Sequence, residues 1–213
     1  MNSRDTILGR IRNAQVPASA GAMQKVATHL AQHPRGPLPP TADDLLECFK
    51  ERALKLSSDV LEASDRMQVP VLLASYLGER KLPMRGVCWP SLASLPWSTA
   101  GVEMQSHPAN NKDLVGVTGA FCAIAETGTL MLLSGAETPA TTSLLPETHV
   151  AVLDPRRIVA TMEDAWDMMR NEYGRPPRAV NFISGPSRTA DIEQTVTLGA
   201  HGPYRVLLII APS

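Results

Sequence analysis

SGPSRTADIEQTVTLGAHGP, residues Ser184 to Pro203, decides how the last third of the chain is read. The apolar run before it, Ala179 to Ile183, reads as a strand, and Gly185-Pro186 is a turn signal. Ser187-Arg188-Thr189 then opens a segment whose early acids, Asp191 and Glu193, suit the first turn of a helix ending near Gly199. Gly202-Pro203 makes a second turn, and Arg205 to Ile210 reads as another apolar strand. The pattern predicts a strand–helix–strand unit with a polar, glycine-containing first turn.

Backbone N–H groups at a helix start lack partners within the helix, and the helix dipole is positive there. Gly185 permits close approach to the backbone, and Arg188 offers a permanent, fork-shaped charge for a carboxylate or phosphate. Spacing alone leaves an anion-binding loop and an ordinary turn equally open. A strict capping box is missing, because Thr189 is followed three residues later by Ile192.

Working outward, residues 148–210 alternate strand and helix patterns. His149 to Leu153 is a buried-type strand. Asp154-Pro155 reads as the start of a helix carrying Ile158, Met162, Trp166, Met169 and Tyr173 on one face. Such alternation predicts a parallel sheet covered by helices. In an open parallel sheet ligands bind at the carboxyl ends of strands, where Ser184 to Thr189 is expected. His201 would then lie at the opposite sheet edge from Arg188, which favours a turn or interface role for it. Further upstream, Ala120 to Ala125 and Thr129 to Leu133 flank Glu126-Thr127-Gly128 and read as a hairpin or a sharply bent strand, with Glu126 at the bend. Glu126 suits a nucleophile or general base, although an exposed turn acid is the commoner case. The hydroxyl-rich stretch 134–146 reads as a surface loop with a short helix.

The N-terminal side divides at a proline-rich linker. Asp5 to Ala14 and Ala22 to Gln32 read as helices, and Pro34, Pro37, Pro39 and Pro40 follow. Residues 1–40 are an N-terminal arm on this reading, and 41–213 an α/β domain. Thr41 is the expected N-cap of a helix with a stripe of Leu45, Phe49, Ala53, Leu56 and Val60. A helix over Val71 to Glu79, opened by Pro70, and a strand over Gly86 to Trp89 come next. Trp89 and Trp97 suit either core packing or the floor of a pocket.

Composition bounds the function. Net charge is −1, which argues against a nucleic-acid partner. The apolar runs are too short to span a bilayer. The start, MNSRDTILGR, lacks the apolar core of a secretory signal, so a cytoplasmic location is expected. Cys48, Cys88 and Cys122 form no CxxC pair, so neither a metal site nor an iron–sulfur cluster is expected from this chain. No P-loop, GxGxxG or GxSxG motif occurs.

GVTGAFCAIAETGTLML, TSLLPETHVAVLD and NFISGPSRTADIEQTVTLGAHGP together resemble the LUD domain family, of the LutC/YkgG or lactate utilisation protein C type. The resemblance spans most of the chain, is strongest from Val115 to Ile210 and is weaker before Thr41. It implies a Rossmann-like three-layer α/β/α sandwich similar to the NagB/RpiA/CoA-transferase group. It also implies a part in oxidising L-lactate to pyruvate beside iron–sulfur partner proteins that carry the clusters, with no cofactor bound by this chain alone. The matching positions are Glu126, Thr127 and Gly128; Ser184, Gly185, Pro186, Ser187, Arg188, Thr189, Asp191 and Glu193; and His201, Gly202 and Pro203. A small carboxylate or phosphate held by Arg188 and residues 184–189 is the expected ligand. An acyl transferase using Glu126, argued from fold analogy, and a non-catalytic scaffold are the alternatives.

Overall fold

In the computed structural model, residues 2–15, 21–33, 35–38, 40–189 and 197–212 are described. The chain divides into two units at residues 39 and 40. The first holds two helices, α1 (Ser3–Ala14) and α2 (Ala22–Gln32). Asn2 caps α1 by accepting a hydrogen bond from the Arg4 N–H. Neither helix contains a buried residue. Residues 16–20, between the two expected helices, and two linker prolines, Pro34 and Pro39, lie outside the described residues.

The second unit is an α/β domain. Its elements in order are α3 (Leu45–Lys55), β1 (Asp59–Glu62), α4 (Val69–Glu79), β2 (Arg85–Cys88), β3 (Glu103–Gln105), β4 (Val115–Gly119), β5 (Cys122–Ile124) and β6 (Thr129–Leu133). There follow α5 (Thr141–Leu144), β7 (Thr148–Leu153), β8 (Ile158–Val159), α6 (Met162–Tyr173), β9 (Val180–Ile183), β10 (Arg188–Thr189), β11 (Thr197–Leu198) and β12 (Arg205–Ile210). Among the described residues, six strands form a sheet in the order β1-β12-β7-β4-β2-β3, and every pairing in it is parallel. Residues 150–153 of β7 and 206–210 of β12 are unbroken apolar runs because both faces of the sheet are covered. Leu207 and Ile209 of β12 face Leu73 and Leu77 of α4 on one side. Val206, Leu208 and Ile210 face the other way, toward Phe49 and Ala53 of α3 and toward Leu130 and Leu132 of β6.

That second face carries a further sheet, in the order β8-β5-β6-β9. Its residues alternate too. Leu130 and Leu132 point at the parallel sheet, while Met131 and Leu133 pack with Ala165 and Met169 of α6. The α/β class and the mostly parallel central sheet thus hold, with a small mixed sheet interposed between the central sheet and α6.

Several local expectations are corrected. β9 does not join the parallel sheet; it runs antiparallel to β6. The residues flanking the expected helix after Ser187 form a two-stranded antiparallel pair, Arg188 opposite Leu198 and Thr189 opposite Thr197. The intervening positions, Asp191 and Glu193 among them, lie outside the described residues. The helix expected from Asp154 begins only at Met162. Asp154 instead caps a single 3-10 turn over Pro155–Arg157, and β8 intervenes. A capping box between Thr161 and Asp164 then starts α6. α3 is capped by Asp44, whose carboxylate accepts from the Glu47 N–H at 3.1 Å, and not by Thr41. It ends at Lys55, Ser57 takes a left-handed φ of 68°, and Val60 belongs to β1. Thr142 and Ser143 are fully buried, so stretch 134–146 is not wholly a surface loop.

Candidate functional site

Glu126-Thr127-Gly128 and Ser184 to Arg188 lie far apart in sequence but meet at one end of the small sheet. β6 and β9 run antiparallel, so the start of one adjoins the end of the other. Thr129 and Ser184 hydrogen-bond there, Oγ1 to Oγ at 2.7 Å. Both glycines face α3. Gly128 (φ 66°) lies against the Arg52–Ala53 backbone, and Gly185 (φ 81°) against the Leu56 carbonyl, where a Cβ would overlap. Gly185 therefore admits the end of a helix. Arg188 reaches the same helix end: its Nη2 donates to the Leu56 carbonyl at 3.3 Å and to the Ser57 hydroxyl.

The third motif joins this cluster. The Ser187 N–H donates to Pro203 O, Gly199 N–H donates to Ser187 O, and the His201 N–H donates to Ser187 Oγ at 3.3 Å. Gly202 sits against the Ser187 side chain. Ser187 and His201 are thus neighbours, not residues at opposite sheet edges, because β9 and β12 belong to different sheets. Pro186 and Arg188 border a cavity of about 310 Å³ with Ser57, Asp59, Leu198, Tyr204 and Arg205. Asp59 and Arg205 open β1 and β12, so this cavity lies at the amino edge of the parallel sheet and not at its carboxyl edge. Arg205 was not singled out by its sequence context; an arginine opening an otherwise apolar strand was the available signal. Its guanidinium stacks over Tyr204 at 4.8 Å, and its Nη1 is buried with no hydrogen-bond partner among the described residues. The Asp59 carboxylate already accepts from Tyr76 Oη at 2.8 Å and Arg80 Nη2 at 2.7 Å.

Glu126 stands apart from that cavity. Its Oε1 accepts the Met162 N–H at 2.9 Å, at the start of α6. A carboxylate there complements the positive helix end. Thr127 is exposed.

A larger cavity, about 590 Å³, opens at the carboxyl edge of the parallel sheet, where Trp89 follows β2 and Ala120-Phe121 follow β4. Ser134, Thr138, Arg157, Tyr173 and Arg175 also line it. Trp89 is 5% exposed and donates from its indole N–H to Pro139 O. Trp97 is core, bonded to Leu92 O. Arg157 is fixed: Nε donates to Phe121 O at 2.7 Å, both Nη atoms pair with Glu172, and the guanidinium stacks on Phe121 at 4.5 Å.

A buried polar pair links β4 and β7. His149 Nε2 and Thr118 Oγ1 are 2.8 Å apart. His149 is fully buried, its Nδ1 has no partner among the described residues, and desolvation pushes its pKa down to about 4. Cys88 and Cys122 are likewise pushed up, to about 11 and about 12, by burial, which keeps them as thiols. Among the described residues no cluster of histidine, cysteine and carboxylate side chains is placed to hold a metal, and no helix is long and apolar enough to cross a membrane.

The LUD domain family model matches residues 108–211. A lactate utilization protein C of an Exiguobacterium species is 30% identical over 180 residues, covering 79% of this chain and 78% of that one. The chain belongs to the LUD domain family. A lactate utilization protein C of Bacillus subtilis is 29% identical over 194 residues, covering 80% of this chain and 79% of its own length. The LUD fold also matches the crystal structure of a DUF162 family protein from Deinococcus radiodurans, with a TM-score of 0.62 and 26% identity over 81% of this chain and 99% of that one.

Proposed function

We propose that this chain serves L-lactate utilisation, taking part in the oxidation of lactate to pyruvate together with iron–sulfur partner proteins, and that it holds a small carboxylate between Arg188 and Arg205. The relatives named lactate utilization protein C support the pathway. The observation that carries the ligand site is the convergence of two arginines, Arg188 and Arg205, on the lining of one cavity. A hydrogen bond to a charged group contributes roughly 1.5–3 kcal/mol, so a carboxylate shared by the two guanidinium groups is favoured. The cavity has room for a three-carbon hydroxycarboxylate. Among the described residues neither arginine has an aspartate or glutamate hydrogen-bond partner, and Asp59 is held by Tyr76 and Arg80.

Acyl transfer by Glu126 draws less support, since that carboxylate already accepts a helix N–H and borders neither cavity. The test is reconstitution. Lactate-dependent electron transfer, measured with purified iron–sulfur partners, is expected to require this chain. Calorimetric lactate affinity is expected to fall about tenfold or more on Arg205→Ala and on Arg188→Ala, the worth of one charge-assisted contact each. Full electron transfer without the chain overturns the role; unchanged affinity in both variants overturns the site.

A further inference from the structure

The larger cavity is not accounted for by lactate. At about 590 Å³ it has the size of a site for a ligand several times bigger than a three-carbon acid. It sits where open parallel sheets place their ligands, outside the carboxyl ends of β2 and β4. Its chemistry is specific. Phe121 and Tyr173 meet edge to face, 5.8 Å between centroids, and Tyr173 is 62% exposed, so one aromatic ring is held by another and left open to stacking. Ser134 Oγ already accepts from the Ala179 N–H and has its own proton left to donate. Thr138 Oγ1 already donates to Leu133 O and has lone pairs left to accept. This pairing suits alcohol groups, which donate and accept. Arg157 is neutralised by Glu172 and anchored to Phe121 O, so it stiffens the wall rather than supplying charge. Arg175, exposed at the rim beside Pro176 and Pro177, supplies it.

We infer that this cavity binds a mononucleotide, with its ring on Tyr173, its sugar or sugar-alcohol hydroxyls at Ser134 and Thr138, and its phosphate at Arg175. The inference concerns a cavity separate from the one between Arg188 and Arg205 and does not depend on lactate binding there. Calorimetry on the full chain with adenosine 5′-monophosphate and with flavin mononucleotide tests it. The two probes share the phosphate and the hydroxylated linker and differ in the ring, so their relative affinities identify the base. Saturable binding of either supports the proposal; binding of neither at millimolar concentration overturns it. Tyr173→Ala and Arg175→Ala should each weaken binding about tenfold, as expected for loss of one stacking or one charge-assisted contact. Both side chains are exposed, and an unchanged melting temperature checks that the variants fold. Arg205→Ala should leave nucleotide affinity intact. Inorganic phosphate displacing the nucleotide at equal concentration would overturn ring recognition. Loss of binding in Arg205→Ala but not in Arg175→Ala would move the nucleotide to the other cavity and overturn the assignment.

Discussion

Gly185 shows how one residue's role depends on what lies opposite it. A glycine after a strand suits a ligand-binding turn, yet its open side is filled by the Leu56 carbonyl at the end of α3. Gly185→Ala adds a Cβ into that carbonyl and forces a left-handed φ, and should cost about 2 kcal/mol or more, read as a lowered denaturant midpoint. His149 carries a second prediction. Its folded pKa, about 4, lies below its usual 6.5, so between those values the unfolded chain binds more protons than the folded one. Stability should therefore rise with pH from about 4 to about 6.5 and level off above, by about 3 kcal/mol over the window from this residue. Thermal melts across that range should show the slope in the natural chain and a shallower one in His149→Gln. An equal slope in both would remove His149 as its source.

At the scale of elements, the N-terminus of α6 is the most heavily determined boundary. Thr161 and Asp164 form a reciprocal capping box, and Glu126 adds a third acceptor from the β5–β6 hairpin. Glu126→Ala should cost about 1 kcal/mol by loss of a cap across elements. Lactate-dependent electron transfer in the reconstituted system should persist in that variant. An abolished rate with intact stability would restore Glu126 as a chemical group. The β10–β11 pair makes the opposite point. Two residue pairs are a marginal ladder, but they set Arg188 beside Leu198 and Tyr204 and so complete the cavity wall that includes Arg205.

For the whole molecule, the two covered faces of the parallel sheet dominate. Residues 40–213 contain the three apolar clusters, and α1 and α2 contribute no buried side chain. A chain starting at Pro40 should keep a cooperative melt within about 3 °C of the full chain, since stability follows buried apolar area. A loss of ten degrees or more would give the first unit a part in the core.

The sequence alone determined the class of the molecule: apolar runs such as Val206 to Ile210 and Leu130 to Leu133 are strands only if both faces are covered. The two N-terminal helices, α4 and the β5–β6 hairpin were legible because their patterns are local. Sheet membership was not. Nothing within Val180 to Ile183 says whether it pairs with β6 or lies beside β12, since a buried strand looks alike in either sheet, and with that choice went the edge at which Arg188 sits. Tertiary structure alone decided that Gly128 and Gly185 face a helix, that Ser187 meets His201, and that Arg205 shares a cavity with Arg188. Each of these is a contact between segments far apart in the chain, fixed by which strands pair and not by local preference.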